Sequence, residues 1–309
     1  MNDFDTTYGY DLEALLLVPA PEGPADFAGF WRRTFEENAR VPLNLARREV
    51  ASFDPTVSVY EVAFDSLDGA RIGGWLTVPA DGRFVRGVVV SHGYGGRGGP
   101  DASLLGQPAV AIFPCARGFG LSTNPSIPDV AARHVLHGIE SRETYVHRGC
   151  AADLWSAASA LLELYPAARE NLHYYGGSFG GGIGALTLPW DGRFQRAFLN
   201  VPSFGNHPLR VTLPCYGSGE SVRHYQARHP EVLRDVLPYF DAATAARHIG
   251  VPVFVAAARA DGSVPPPGQF AVYNALPGPK ELFVRATGHP DTPEDDAALW
   301  QRLDEWFKV

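Results

Sequence analysis

A glycine-rich stretch at residues 176–182, Gly-Gly-Ser-Phe-Gly-Gly-Gly, constrains the fold more than any other part of the sequence. The apolar residues 172–175 before it predict a short buried strand, and residues 183–188 after it predict a helix. A serine in a G-x-S-x-G pattern between a strand and a helix lies on a sharp turn that exposes its hydroxyl at the edge of a parallel sheet. Ser178 is therefore a candidate nucleophile. The bare pattern also arises by chance in a chain with 33 glycines, so its partners must decide.

Two later positions fit the partners that a nucleophilic serine requires, which are a histidine base and an acid that orients it. In proteins with this turn the acid and then the histidine follow the serine along the chain, each after a later strand. Asp261 follows the apolar residues 251–257, and His289 follows the predicted strand 281–286. We therefore expect a triad of Ser178, Asp261 and His289. Rival acids come just after the histidine and are expected to begin the final helix instead: Asp291, Glu294, Asp295 and Asp296.

Acyl transfer at Ser178 would also need backbone N–H groups that bind the negative oxygen of the intermediate. The residue after the nucleophile supplies one, here Phe179, and a loop after an earlier strand supplies the other. Residues 92–99 are a glycine-rich loop after the apolar strand 87–91, and we expect Tyr94 to donate through its main chain. A phosphate-binding loop is the disfavoured alternative, because the Lys-Ser/Thr ending of a P-loop and the ribose-binding acid of a dinucleotide site are both missing.

The composition disfavours nucleic acid and membranes as partners. The 309 residues are 45% hydrophobic, enough for a full core, and carry a net charge of −8. No apolar run reaches the roughly 18 residues of a membrane span, and acidic residues precede the apolar patch 15–18, so no signal peptide is expected. Three widely spaced cysteines predict free thiols in a cytoplasmic protein. We expect no cofactor and no metal, since no Cys spacing fits zinc.

The order of the predicted elements indicates one α/β-hydrolase domain over residues 1–309. Eight strands are expected to form a mostly parallel sheet flanked by helices, with the site at the carboxyl ends of the strands. The predicted strands are 57–64, 71–78, 87–91, 109–114, 172–175, 196–201, 252–257 and 282–286. The clearest helices are 153–165 and 293–307.

Three further segments add to this pattern. An N-terminal helical extension is expected to begin after Asp26 as its N-cap, with three aromatic side chains on one face: Phe27, Phe30 and Trp31. Residues 203–240 predict a polar helical insertion, which we expect to form a small cap over the site. The loop-rich segment 118–144 is expected to line the entrance.

Several short motifs follow one another along nearly the whole chain. They are 24–27 with Phe30-Trp31, His92-Gly93-Tyr94, Arg117-Gly118 with Gly120, Thr144-Tyr145 with Arg148 and Asp153, the stretch 176–182, Asp261 before Tyr273-Asn274, and 278–281. In this order they resemble the acetyl xylan esterase / cephalosporin C deacetylase family, carbohydrate esterase family seven. The resemblance implies a serine esterase that removes acetyl groups from small acetylated sugars and cephalosporin C, needs no metal, and assembles as a homo-hexamer.

The chain departs from the family pattern at three positions. Phe119 and Phe179 replace glutamines, and Pro290 replaces the glutamate that usually follows the histidine. By the resemblance, the substrate pocket is expected to contain Tyr94, Arg117, Phe119 and Phe179. The two phenylalanines are expected to form a paired aromatic packing that crowds the space beyond the serine.

Two other functions remain open at the level of the sequence. A peptidase or a longer-chain esterase would use the same fold and the same three residues, because a fold does not determine the chemistry. A non-catalytic binding protein of this fold is the other alternative, although it would not need a serine, an acid and a histidine in this order. Turnover of acetate esters beside butyrate and octanoate esters would separate these readings.

Overall fold

A sheet of nine strands forms the centre of the protein in the part that the computed structural model describes, residues 4–52, 54–101, 107–289 and 293–308. The strands are β1 Ala46–Val50, β2 Val57–Ser66, β3 Ala70–Pro79, β4 Arg86–Val90, β5 Ala109–Pro114, β6 Leu172–Gly177, β7 Phe194–Asn200, β8 Val253–Ala260 and β9 Lys280–Thr287. Their order across the sheet is β1-β2-β3-β5-β4-β6-β7-β8-β9. The pairs β1–β2, β2–β3 and β3–β5 are antiparallel. The remaining pairs, β5–β4, β4–β6, β6–β7, β7–β8 and β8–β9, are parallel.

Helices cover both faces of this sheet. They are α1 Leu12–Leu16, α2 Phe27–Ala39, α3 Ala131–His134, α4 Val146–Leu164, α5 Phe179–Thr187, α6 His207–Arg210, α7 Ser218–Arg228, α8 Glu231–Asp235, α9 Ala242–Ala246, α10 Pro266–Ala275 and α11 Pro293–Trp306. The larger core lies under α2, α4 and α5, and α11 covers the other face with Leu299 and Leu303. Among the helices of the described ranges, none has both the length and the apolar character needed to cross a membrane.

The predicted α/β-hydrolase architecture with a mostly parallel sheet is confirmed, and each of the eight predicted strands is present. β4 and β5 are buried along their whole length, as expected of parallel strands covered on both faces. The strand count of eight was wrong by one, because β1 also joins the sheet. Its sequence, Ala-Arg-Arg-Glu-Val, is mostly exposed and pairs with β2 at the sheet edge, so it carries no alternation of apolar residues that could reveal it.

The N-terminal helix α2 packs its aromatic face into the core as predicted. Phe27, Phe30 and Trp31 are buried, and Trp31 Nε1 donates a hydrogen bond to the carbonyl oxygen of Tyr239 at 2.8 Å. Asp26 precedes the helix, but its side chain makes no capping hydrogen bond. Its carboxylate instead accepts hydrogen bonds from the Tyr239 hydroxyl and from Arg142. Asp26 therefore ties the start of α2 to other segments rather than to its own helix.

The segment 203–240 leaves the sheet after β7 and contains α6, α7 and α8. Asp241, which is fully buried, attaches this segment to the helix that follows it. Its carboxylate accepts from the N–H of His207 at 2.6 Å, at the start of α6, and from the N–H groups of Ala243 and Thr244 in α9 at 3.0 and 2.9 Å. The Asp241 carboxylate thus holds the start of α6 against the start of α9.

Candidate active site

Ser178 lies between β6 and α5 in a strained backbone conformation, with φ at 52° and ψ at −115°. Its N–H donates to the carbonyl oxygen of Asn200 at 2.8 Å, at the end of β7. A Cβ atom at Gly176 would lie 2.6 Å from the carbonyl oxygen of Gly180, and a Cβ atom at Gly180 would lie 2.7 Å from Ser91 Oγ. The turn therefore requires glycine two residues before and two residues after the serine.

Asp261 and His289 come together after the two last strands, as the sequence predicts. His289 Nδ1 lies 2.9 Å from Asp261 Oδ2, and the Asp261 side chain is completely buried. Three other hydrogen bonds hold the carboxylate: Oδ1 accepts from the N–H groups of Ser263 and Val264 at 2.8 and 3.0 Å, and Oδ2 accepts from Gln269 Nε2 at 3.0 Å. These contacts fix the orientation of the carboxylate, and through it the orientation of the ring.

The rival acids do not share this arrangement where the structure describes them. Asp296 Oδ1 accepts a hydrogen bond from Arg285 Nη2 at 2.9 Å. Pro290 and Asp291 lie outside the described residues, as do the side chains of Glu294 and Asp295.

Ser178 and His289 line one cleft of about 610 Å³. The loop after β4 supplies Gly93, Tyr94 and Gly95 to one side of this cleft, and a Cβ atom at Gly93 would lie 3.6 Å from the Ser178 Cβ. Phe179 is the first residue of α5, where backbone N–H groups have no partner within the helix. The serine, the histidine and two segments with backbone N–H groups therefore meet at one end of the sheet.

The Tyr94 hydroxyl is held behind the cleft by two buried histidines. Tyr94 Oη lies 3.2 Å from His134 Nδ1 and 3.1 Å from His147 Nε2, and His134 Nε2 lies 2.9 Å from the carbonyl oxygen of Arg117. A carbonyl only accepts, so His134 carries its proton on Nε2. The Tyr94 hydroxyl then donates to His134 Nδ1 and accepts from His147 Nε2, and His147 Nδ1 has no hydrogen-bond partner among the described residues.

Burial keeps both histidines neutral. Desolvation lowers the pKa of His134 to about 4 and the pKa of His147 well below its ordinary value. The same cause lowers the pKa of the neighbouring His92 to about 4. His92 Nδ1 donates to the carbonyl oxygen of Gly93 at 2.7 Å, and Nε2 accepts from the N–H of Ala116 at 2.9 Å. Neutral imidazoles thus support the loop that carries Tyr94.

Of the four residues expected in the substrate pocket, Tyr94 lines the cleft and the other three lie behind its wall. Phe179 is buried with its ring centroid 4.2 Å from that of Tyr94, and Phe119 is buried with its ring 4.9 Å from His134. Tyr94 and His134 stand between the two phenylalanines, which form one aromatic cluster rather than a direct pair. Arg117 is buried in an ion pair with Asp153, with Nη2 to Oδ1 at 2.7 Å.

Other residues line the cleft that sequence reasoning did not single out: Ser203, Arg210, Tyr216 and Ser263. The first three lie in the segment 203–240, whose pattern predicts polar helices and nothing about which side chains face the site. Ser263 follows Asp261 in an irregular loop. No motif or spacing marks any of these four residues, so only the fold could identify them.

Comparisons with known proteins show what the chain is similar to. A sequence model of the acetyl xylan esterase family (AXE1) matches residues 13–301. The acetyl esterase Axe7A of Xylanibacter ruminicola is 23% identical over 291 residues, which is 87% of this chain. The chain spans 64% of the length of that relative.

Two solved structures match over nearly their whole length. The acetyl xylan esterase from Paenibacillus sp. R4 has a TM-score of 0.84 and 25% identity, over 96% of this chain and 99% of that chain. Acetyl xylan esterase 1 from Thermoanaerobacterium sp. JW/SL YS485 has a TM-score of 0.81 and 19% identity, over 99% of this chain and all of that chain, and this second likeness shows the fold.

The neutral histidines predict that acid destabilises the protein. An unfolded histidine binds a proton below a pKa of about 6.5, whereas folded His92 and His134 do so only below about 4. As the pH falls through this window, the free energy of unfolding should decrease by up to about 1.4 kcal/mol per pH unit for each group. Urea unfolding at several pH values measures the slope, and His134→Asn should make it shallower. Equal slopes in the two proteins would contradict the assignment.

Proposed function

Because the chain belongs to the acetyl xylan esterase family, we propose that it is a serine carboxylesterase that removes acetyl groups from small acetylated substrates. Acetylated xylo-oligosaccharides and cephalosporin C-like esters are the substrates that we propose. The observation that carries the proposal is the meeting of Ser178 and His289 in one cleft, with His289 held by the buried Asp261 and two segments with backbone N–H groups beside them.

In the proposed acylation step, Ser178 Oγ attacks the carbonyl carbon of the acetyl group while its proton passes to His289 Nε2. Asp261, at His289 Nδ1, holds the ring in the required tautomer and stabilises the imidazolium that forms. The negative oxygen of the tetrahedral intermediate accepts hydrogen bonds from the N–H groups of Phe179 and Tyr94. The intermediate then collapses, the His289 proton moves to the leaving alcohol, and an acetyl ester of Ser178 remains.

In the proposed deacylation step, water takes the place of the alcohol. His289 removes a proton from the water as its oxygen attacks the acetyl carbonyl, and the same backbone N–H groups stabilise the second intermediate. Collapse releases acetate and returns the proton to Ser178 Oγ. Every proton in the proposed cycle moves between Ser178, His289, the leaving alcohol and water, so no step requires a cofactor or a metal.

The family relationship and the three cysteines, Cys115, Cys150 and Cys215, also bear on location and assembly. We propose that the protein is cytoplasmic and forms a homo-oligomer, a hexamer by resemblance to the family. The three cysteines are buried and free, which suits a reducing compartment.

Light scattering on the purified protein should give a multiple of the mass of one chain. A solution mass equal to one chain at micromolar concentration would contradict the proposed assembly.

The proposed triad predicts a clear ranking of variants. Ser178→Ala should lower kcat by about 10⁴-fold or more, since the nucleophile is lost. Asp261→Asn should lower it by up to about 10⁴-fold, because the amide favours the wrong tautomer of His289. Asp296→Asn is the matched control and should retain most of the activity, since Asp296 pairs with Arg285. Initial rates with p-nitrophenyl acetate measure all three. A larger loss of kcat in Asp296→Asn than in Asp261→Asn would show that Asp261 is not the acid of the triad.

The aromatic cluster behind the serine predicts a preference for short acyl chains. The cluster consists of the rings of Tyr94, Phe119, His134, Phe179 and Phe204, and each ring centroid lies within 6.0 Å of a neighbouring centroid. These rings fill the space behind Ser178. A long acyl chain therefore cannot gain the roughly 0.8 kcal/mol per buried methylene that an open channel would supply. The value of kcat/KM should fall from p-nitrophenyl acetate to butyrate to octanoate. A steady rise along this series would favour a longer-chain esterase.

A further inference from the structure

Arg210 occupies an unusual position for a charged residue. It ends α6, lines the cleft together with Ser178 and His289, and is only 8% exposed. Of the described residues that line the cleft, it is the one with a permanent charge, and no carboxylate is among them. The fixed charge inside the cleft is therefore positive, although the whole chain carries a net charge of −8.

The guanidinium has few partners of its own. Arg210 Nη1 lies 3.4 Å from His207 Nδ1, and the Arg210 Cζ lies 5.7 Å from the ring centroid of Phe204. Among the described residues no carboxylate forms an ion pair with it. A guanidinium carries five N–H donors, and buried arginines are generally paired because an isolated buried charge is costly. Most of the hydrogen-bonding capacity of Arg210 is thus left for something that enters the cleft.

His207 cannot serve as a counter-charge. Its Nε2 lies 3.2 Å from the carbonyl oxygen of Phe240 and therefore carries the proton, which leaves Nδ1 as an acceptor toward Arg210. Burial, and then the charge of Arg210, lower the pKa of His207 to about 3. The histidine is neutral and positions the guanidinium without neutralising it.

The amino end of α7 lies against the same guanidinium. A Cβ atom at Gly219 would lie 2.8 Å from Arg210 Nη2, so the backbone at this position lies directly beside the guanidinium. Gly217, Ser218 and Gly219 all line the cleft, and no side chain caps this helix of 11 residues. The first N–H groups of a helix carry partial positive charge and bind anions. Arg210 and α7 therefore present donors of the same sign to one part of the cleft.

We propose that Arg210 and the amino end of α7 form a binding subsite for a carboxylate on the substrate. The proposal rests on the proposed esterase function and adds a substrate class to it. An acetyl group is too small to carry a second charged group, so the carboxylate belongs to the alcohol portion of the ester. The preferred substrates are then acetate esters of hydroxy acids, whose carboxylate binds the guanidinium through two parallel hydrogen bonds.

Matched pairs of aryl acetates test this proposal. Meta-acetoxybenzoate, para-acetoxybenzoate and para-acetoxyphenylacetate place the carboxylate at different distances from the ester, and the methyl ester of each is the neutral match. Arg210→Gln should lower kcat/KM for the best anionic substrate by about tenfold to a hundredfold, as expected for a hydrogen-bonded ion pair. Its neutral match should change by less than about threefold. Comparing each pair between two proteins cancels the intrinsic reactivity of the esters.

Two other variants make the result specific. Arg228→Gln removes the same charge from the exposed last turn of α7 and should leave the ratio of anionic to neutral kcat/KM unchanged. Arg210→Lys keeps the charge but loses the planar guanidinium and its paired N–H donors. It should give an intermediate loss of kcat/KM that is confined to the anionic esters. This variant also tests the proposal if Arg210→Gln fails to fold.

Binding measurements separate this proposal from the esterase function itself. Titration calorimetry with para-hydroxybenzoate and para-hydroxyphenylacetate, in a Ser178→Ala background, should show binding that Arg210→Gln abolishes and that methyl para-hydroxybenzoate does not reproduce. If the unmodified protein hydrolyses none of the acetates, the esterase function fails while the calorimetry still tests the subsite. Equal losses on anionic and neutral esters, or the same change in Arg228→Gln, would overturn the proposed carboxylate subsite.

Discussion

The strained turn at Ser178 is the constraint on which the candidate site depends. A non-glycine residue at φ 52° and ψ −115° is unfavourable by about 1 to 3 kcal/mol, so the conformation persists only if surrounding contacts impose it. Here they do so from both neighbouring strands. The N–H of Ser178 is held by Asn200 at the end of β7, and Gly180 leaves room for Ser91 at the end of β4. The position of the serine is thus set by the parallel sheet, and the loops after β4, β8 and β9 meet it there.

Behind the cleft, the protein buries polar groups that are neutral and hydrogen-bonded to one another. The Tyr94 hydroxyl, His134 and His147 form a chain of hydrogen bonds in which each proton has a definite place. Neutral imidazoles avoid the larger penalty of a buried charge, and one acceptor of the network, His147 Nδ1, has no partner among the described residues. Phe119 and Phe179 pack against these rings. A wall backed by buried aromatic rings results on the side of the cleft formed by Tyr94.

A second part of the cleft wall carries a positive charge. It is made by α6 and the start of α7, and it brings a single buried guanidinium and an uncapped helix end to the cleft. Asp241 fixes the start of α6 through three backbone N–H groups, so the direction in which Arg210 projects depends on a carboxylate that lies outside the cleft. A neutral wall beside a charged wall would orient an ester whose two ends differ in polarity.

Much of the fold follows from local sequence patterns. Continuous apolar runs mark the buried parallel strands, and a serine among glycines between a strand and a helix marks the turn, because these patterns reflect requirements of the backbone and of burial that act over a few residues. The order of Ser178, Asp261 and His289 after successive strands predicts that they converge, since the carboxyl ends of parallel strands share one edge of the sheet. Local sequence patterns do not predict the exposed strand β1, because its place in the sheet depends on pairing with β2 rather than on its own pattern of apolar residues.

Only the tertiary structure decided which side chains form the walls of the cleft. Arg117, Phe119 and Phe179 are close to the site in sequence motifs, yet burial against Asp153, His134 and Tyr94 turns them away from the cleft. Arg210 belongs to no motif, and α6, which carries it, is held at its start by Asp241, a residue distant in sequence. The direction in which a side chain projects from an irregular segment depends on contacts between residues far apart in the chain, and local sequence carries no record of those contacts.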